Sequence, residues 1–402
     1  MEIYVARQPI FNKSKKIYGY ELLFRTSMSN FFPEIDGNIA TSKLLSNSFF
    51  SIGIETITGP KKAFINFTQD LLLQRVPLMF PHDRIVVEIL EDVKPREDVV
   101  EACREIAKAG YAIALDDFIY AQERVPLIAL ADIIKIDLRV TPLADIDELV
   151  KKLPRNGVTL LAEKVETYEE FKSALEMGFS YFQGYFFSKP EILKGKELST
   201  HQIQLLEIMA EANRKDVHFD KLEKHIIQDL SVSYKLLRMI NSAYFRRINE
   251  VSSIKQAIIM IGETGIRRFL SLIAMAGLVS GKPDELIKVS IIRAKFCELI
   301  GDASDSQVDA SELFTMGLFS LIDAMMDDSM ESLLEKLPLS NNIKSALIHG
   351  KGKLGNYLKL AEYYEKGEWK LVSKTAARLS SDEKKLPHHY MEAVSWADGL
   401  NC

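Results

Sequence analysis

Cysteine is scarce in this chain: Cys103, Cys297 and Cys402 are three in 402 residues, they stand far apart, and no CxxC pair exists. That excludes a disulfide framework and a thiolate zinc site, and it fits a reducing compartment. Long apolar runs are missing as well. Stretches such as IALADIIKI at 128–136 are broken by a carboxylate and fall short of the ~20 residues that a membrane span needs. The N-terminal MEIYVARQPIFNKSKK lacks the apolar run and small-residue cleavage site of a secretory signal. There is no basic excess either. A net charge of −5 speaks against a nucleic-acid polymer or an anionic membrane as partner. Glycine and proline, 20 and 13 residues, are too few for a collagenous or low-complexity chain. The expectation is a cytoplasmic globular protein.

What is present divides into two patterns. Residues 1–190 carry short runs rich in Val, Ile, Phe and Tyr: 3–11, 17–25, 63–67, 84–90, 111–117, 132–137, 158–165 and 181–187. Most lack strict alternation, as strands buried on both faces do. Helical stretches lie between them, and two of these, 98–110 and 167–178, end on a glycine suited to a helix C-cap. Repeated strand–helix alternation predicts an α/β fold. Eight runs with no GxGxxG loop favour a compact TIM-like barrel over a dinucleotide-binding sheet. The first two runs can pair as a hairpin across NKSKK, which allows one antiparallel strand.

From about residue 200 the strand signal stops. Leu205, Ile208, Met209 and Ala212 are spaced i, i+3, i+4, i+7, and Leu236, Ile240 and Ala243 keep that period, which predicts an all-helical bundle over 201–390. Residues 191–200 read as a linker and 391–402 as a C-terminal tail, with LSSDEKKLPHHY (379–390) as a solvated connector before it. The methionine-rich stretch 316–330 reads as core before docking surface.

The polar residues of the first half are informative by position. Glu21, Asn66, Glu88, Asp116, Asp117, Lys135, Asp137, Glu163, Glu166 and Gln183 lie within or at the C-terminal end of runs otherwise suited to burial. Buried carboxylates are costly unless they are paired, hydrogen-bonded or bound to metal. In a parallel barrel the C-terminal strand ends converge on the face that carries active sites. Carboxylates with an amide oxygen, and no Cys or His among them, form a hard-oxygen set suited to Mg2+ or Mn2+. Any one such acid is more often a surface or capping residue; the recurrence on successive strands is what argues for a site.

In that order the residues resemble a known family. ELLFR at 21–25 is similar to the ExLxR signature of the bacterial EAL domain, a cyclic-di-GMP phosphodiesterase module. Asn66, the pair Glu88 and Glu91, DDF at 116–118, KID at 135–137, ExVE at 163–166 and QGY at 183–185 follow in family order. The resemblance implies one divalent ion held by Glu21, Asn66, Glu88 and Asp116, and a second held by Asp116, Asp117 and Glu163. Two such ions clamp a phosphodiester and lower the pKa of a bridging water. It further implies that Lys135 assists the nucleophile and that Gln183 orders metal-bound water. Arg25 would contact a substrate phosphate, with Leu23, Asp137 and Glu166 also on the substrate side. The product would be linear pGpG, and a homodimer through the barrel is a partner the family allows.

Three departures stand out. DDF is followed by IYAQERV, without the family's glycine-rich loop; Lys164 replaces the glycine of EGVE; and Leu90 stands where threonine is common. The complete ligand set favours turnover, whereas the missing loop favours a weak or silent receptor that binds cyclic-di-GMP without cleaving it. The helical half resembles the HDOD domain through 229–245 and 252–262, with Leu236, Leu237, Asn241, Ser242 and Ala243 carrying the pattern. The catalytic relatives of that domain need a His–Asp pair. Here His201, His218, His225, His349, His388 and His389 are not followed by Asp, and GLFSLIDAMMD (317–327) holds Asp323 alone. The resemblance therefore implies an interaction or output module with a protein partner.

Overall fold

The computed structural model describes residues 4–25, 54–141, 143–153, 157–188, 226–227, 230–240, 253–278, 284–304, 308–337 and 339–399. The expected linker, the periodic positions 205–212, the motif residues 241–243 and His201, His218 and His225 lie outside them. The chain divides into two compact units, the first of residues 1–187 with 364–370 and the second of residues 188–363 with 371–402.

The first unit is a closed eight-stranded barrel in the order β1 to β8. Its strands are β1 (Tyr4–Asn12), β2 (Ile17–Arg25), β3 (Lys62–Phe67), β4 (Ile85–Ile89), β5 (Ala112–Leu115), β6 (Ile133–Asp137), β7 (Thr159–Glu163) and β8 (Tyr181–Gln183). β1 runs antiparallel to both of its neighbours, and the remaining pairs are parallel. The reversal has a local cause. Only four residues join β1 to β2, too few for a crossover. Asn12 Oδ1 accepts from the backbone N–H groups of Ser14 (2.9 Å) and Lys16 (3.0 Å), which fixes the tight turn. β8 is shorter than its run suggested: Gly184 turns the chain, and Phe186–Ser188 forms a single 3-10 turn instead of more strand.

Helices fill the crossovers. Glu97–Lys108 buries Val99, Val100, Cys103 and Ile106 along one face, and Gly110 follows it at φ 92°. Tyr168–Glu176 starts at Thr167, whose side chain accepts from the N–H of Glu170, and Gly178 follows it at φ 96°. Both glycines supply the left-handed residue that ends a helix without steric cost.

The interior of the barrel explains the placement of the polar set. Ile10, Phe64, Val86, Ala114, Ile133 and Leu161 form one buried cluster, floored by Tyr18 stacked on Tyr181 at 4.1 Å. Side chains alternate along a strand, so the residue two positions on also faces inward. Phe64 leads to Asn66, Val86 to Glu88, Ala114 to Asp116, Ile133 to Lys135, Leu161 to Glu163 and Tyr181 to Gln183. A dry layer thus lies directly beneath a polar one.

The second unit is helical throughout its described residues. Asp284–Asp302 packs on Ala310–Phe319, in which Leu313 to Phe319 are all buried. A Cβ on Gly317 would stand 2.6 Å from Ala294 Cα, so only glycine permits this approach. Met316 and Met325 are core residues, as the sequence reading held. Ile254–Leu278 is broken at Gly262, where φ is 69°. Buried Glu298 pairs with Arg268 and, at 2.8 Å, with Lys295, which compensates its charge. One expectation is overturned. The tail at 391–402 and its connector contain the helix Leu386–Gly399, which buries Leu386, Tyr390, Ala393, Val394 and Ala397. Spacings of four, three, one and three gather these residues on one apolar face that a tail would leave wet.

Candidate active site

The polar layer is a cage of carboxylates around one ammonium. Lys135 Nζ lies 2.6 Å from Asp116 Oδ1, 2.7 Å from Glu88 Oε1, 3.0 Å from Glu163 Oε1 and 3.4 Å from Glu21 Oε2. Its side chain is wholly buried, as is that of Glu88. Gln183 Nε2 donates to Glu21 Oε2 at 2.6 Å, and Asn66 Nδ2 donates to Glu21 Oε1 at 3.2 Å. Asn66 and Glu88 are direct register partners across β3 and β4, as are Asp137 and Glu163 across β6 and β7. The strand-end loops are tied down in turn. The N–H of Phe118 donates to Lys135 O at 3.0 Å, and that of Val165 to Gln183 O at 3.0 Å.

Burial and crowding set the protonation of the cage. Burial pushes the Glu88 carboxyl well above the usual range; Lys135 opposes this, and Glu21 and Asp116 add to it. Burial likewise raises Glu163 to about 8, with Lys135 again opposing and Asp116 and Glu21 reinforcing. Burial works to lower Lys135, but Glu163, Glu21, Glu88 and Asp116 outweigh it and hold the ammonium well above its ordinary value. One positive charge serves four carboxylates. The cage is short of cations.

The donor set shows what would complete it. Glu88 Oε2, Glu163 Oε2, Asn66 Oδ1 and Gln183 Oε1 are buried without a hydrogen-bond partner among the described residues. All four are oxygens, which suits a hard divalent ion with several oxygen ligands. Glu21, Asn66, Glu88, Asp116 and Glu163 therefore fit such an ion chemically.

Asp117 and Asp137 stand at the rim. Asp117 is half-buried at φ 38°, and burial first, then Asp116, raises its carboxyl. The left-handed residue that the glycine-free loop demands is thus Asp117 itself, while Ala121 is extended at φ −137°. Asp137 is buried; its Oδ1 accepts from the N–H of Arg139 at 2.7 Å, and its Oδ2 accepts from Lys164 Nζ. A cavity of about 410 Å3 opens here, lined by Glu91, Asp117, Phe118, Asp137 and neighbours. Leu23 is half-buried on β2, and Arg25 ends that strand with its side chain outside the described residues. Glu166 is exposed, two residues before the helix Tyr168–Glu176, and its N–H donates to Glu170 Oε2 at 2.8 Å. Gln8 is a member that sequence reasoning missed: its Oε1 accepts from Gln183 Nε2 at 2.9 Å. On the reversed β1, inward positions step backwards from Ile10, and that reversal was the only available signal.

Against known families, residues 38–190 match the EAL domain and residues 198–377 match the HDOD domain. Over 401 residues the chain is 38% identical to the cyclic di-GMP phosphodiesterase CdgJ of Vibrio cholerae, covering 99% of this chain and 93% of that one. This chain belongs to the EAL–HDOD family. The uncharacterized protein YuxH of Bacillus subtilis is 36% identical over 408 residues, covering 100% of this chain and 99% of its own length. Among solved structures, the manganese and cyclic-di-GMP complex of Klebsiella pneumoniae BlrP1 at pH 6 is 21% identical, with a TM-score of 0.39 over 46% of this chain and 55% of that one. The EAL match begins after the β1–β2 hairpin, so Glu21 reaches the EAL cage from outside the matched span.

Proposed function

We propose that the EAL barrel hydrolyses cyclic-di-GMP to linear pGpG with divalent ions, Mg2+ or Mn2+, held by Glu21, Asn66, Glu88, Asp116, Asp117 and Glu163. The observation that carries this reading is the convergence of the Glu21, Glu88, Asp116 and Glu163 carboxylates on Lys135, in a chain that aligns over 99% of its length with a relative named for that activity. The ions would supply Lewis-acid stabilisation of the phosphodiester and an acidified water. The protein groups have their own tasks. Lys135, held among four carboxylates, keeps its proton and donates toward the attacking oxygen and the phosphoryl charge that develops. Gln183, fixed by Glu21 and Gln8, orients water through its free oxygen. Asp137, Leu23 and Arg25 would face the substrate across the rim.

A receptor reading keeps one supporting observation: the glycine-free loop places a left-handed backbone on Asp117 itself. Incubating the full chain with cyclic-di-GMP and Mg2+ or Mn2+, with chromatography of the nucleotides, separates the two. Linear product that is lost in Glu21→Ala supports the enzyme. Binding without product supports the receptor, and absence of binding refutes both. The HDOD domain is the output module in this proposal, taking a protein partner; exposed Ile227, Tyr234 and Ile259 on its helices suit that role. Exposed Ile119, Val125 and Val140 on the barrel suit a homodimer contact.

A further inference from the structure

Lys164 follows Glu163 at the end of β7 and holds a left-handed backbone, φ 54°. A lysine there is strained where glycine would be free, and such strain persists where the surrounding structure enforces it. Asp117 in the loop after β5 is strained in the same way, at φ 38°. Between these two positions lies Asp137, ending β6. The Lys164 ammonium pairs with Asp137 Oδ2 and interacts electrostatically with Asp117 and Glu163. The polar layer therefore has two poles, each with its own lysine. Lys135 serves Glu21, Glu88, Asp116 and Glu163, whereas Lys164 serves Asp117, Asp137 and Glu163. The two differ in mobility: Lys135 is wholly buried, while the Lys164 side chain is 57% exposed and tethered by one partner.

We infer that Lys164 is a resident counter-ion of the outer pole, which a second divalent ion must outcompete, so that this protein loads its two ions unequally. The inference rests on the proposed two-ion reading of the cage. An ammonium beside a divalent ion would oppose it by Coulomb repulsion and also attracts Asp117 and Glu163, two of the proposed ligands, while its exposure lets solvent screen most of the effect; the net penalty is about tenfold in affinity. The partners of Lys164 are Asp137, Asp117 and Glu163, so an ion held by Glu21, Asn66, Glu88 and Asp116 would be barely affected.

Mn2+ titration of the full-length protein by calorimetry and electron paramagnetic resonance tests this with Lys164→Met, Lys164→Gly and Lys164→Arg. The wild type should show one tight and one weaker site. Lys164→Met and Lys164→Gly should both tighten the weaker site by about tenfold and leave the tight one unchanged, while Lys164→Arg should behave as wild type. Methionine keeps the backbone strain and glycine relieves it. Tightening in the glycine variant alone would assign the effect to the backbone and overturn the inference, as would equal affinities in all four proteins. If the wild type binds no Mn2+ and Glu21→Gln changes nothing, the metal reading itself falls, an outcome distinct from normal two-site binding that ignores residue 164.

Discussion

Replacing Lys135 with methionine should cost the barrel its metal-free stability and return it with Mn2+. The four ion pairs at 2.6 to 3.4 Å vanish together, and methionine fills similar space without charge. Breaking a buried ion pair from one side costs roughly 3–5 kcal/mol. At roughly 2–4 °C per kcal/mol for a domain of 150–250 residues, the melting transition should fall by about 6–20 °C. The loss has a chemical limit. Carboxylates can take up protons in place of the ammonium, and Glu163 is already raised to about 8. The fall should therefore be larger at pH 8 than at pH 6. Mn2+ at a hundredfold excess over its dissociation constant adds about 2.7 kcal/mol to any protein that binds it only when folded. It should add more to Lys135→Met, where no ammonium competes for the same oxygens. The assay is scanning calorimetry in EDTA and in Mn2+ at both pH values, following the transition that responds to metal. A variant that melts within about 2 °C of wild type in EDTA at pH 8, or an equal Mn2+ shift in both proteins, would refute the cation-deficient cage.

Two other outcomes follow from the same geometry. Glu163 and Glu88 have raised values when folded, so between about pH 4.5 and 8 the metal-free folded chain binds more protons than the unfolded chain, and stability must fall as pH rises through that window. The metal-responsive melting temperature in EDTA should decline from pH 5 to pH 8, less steeply in Glu163→Gln, while Mn2+ affinity measured by titration rises over the same range. Gly184→Ala should destabilise the barrel by roughly 2–3 kcal/mol, because φ is 143° and the new Cβ would meet Val165 O at 2.2 Å. Its denaturant midpoint and its nucleotide turnover should fall together, since Gln183 is the adjacent residue.

Much of the site could be read from linear order because a barrel strand reveals its interior by period. Each apolar interior residue is followed two places later by a polar one, and the eight runs locate the strands that carry them. The tail was misjudged because Leu386–Gly399 is preceded by a charged and polar stretch that hides its apolar face.

By itself the sequence determined the two-part architecture and the oxygen-rich character of the strand ends, since these depend on residue type and local period. Tertiary structure alone decided which charges meet. Gln183 and Glu21 are 162 residues apart yet hydrogen-bond at 2.6 Å, because closing the barrel brings β8 to β1 and β1 to β2. The same closure places one lysine among four carboxylates from β2, β4, β7 and the loop after β5, and sets Lys164 against Asp137. Charge is written locally, but its compensation depends on distance, and only the closed barrel fixes that.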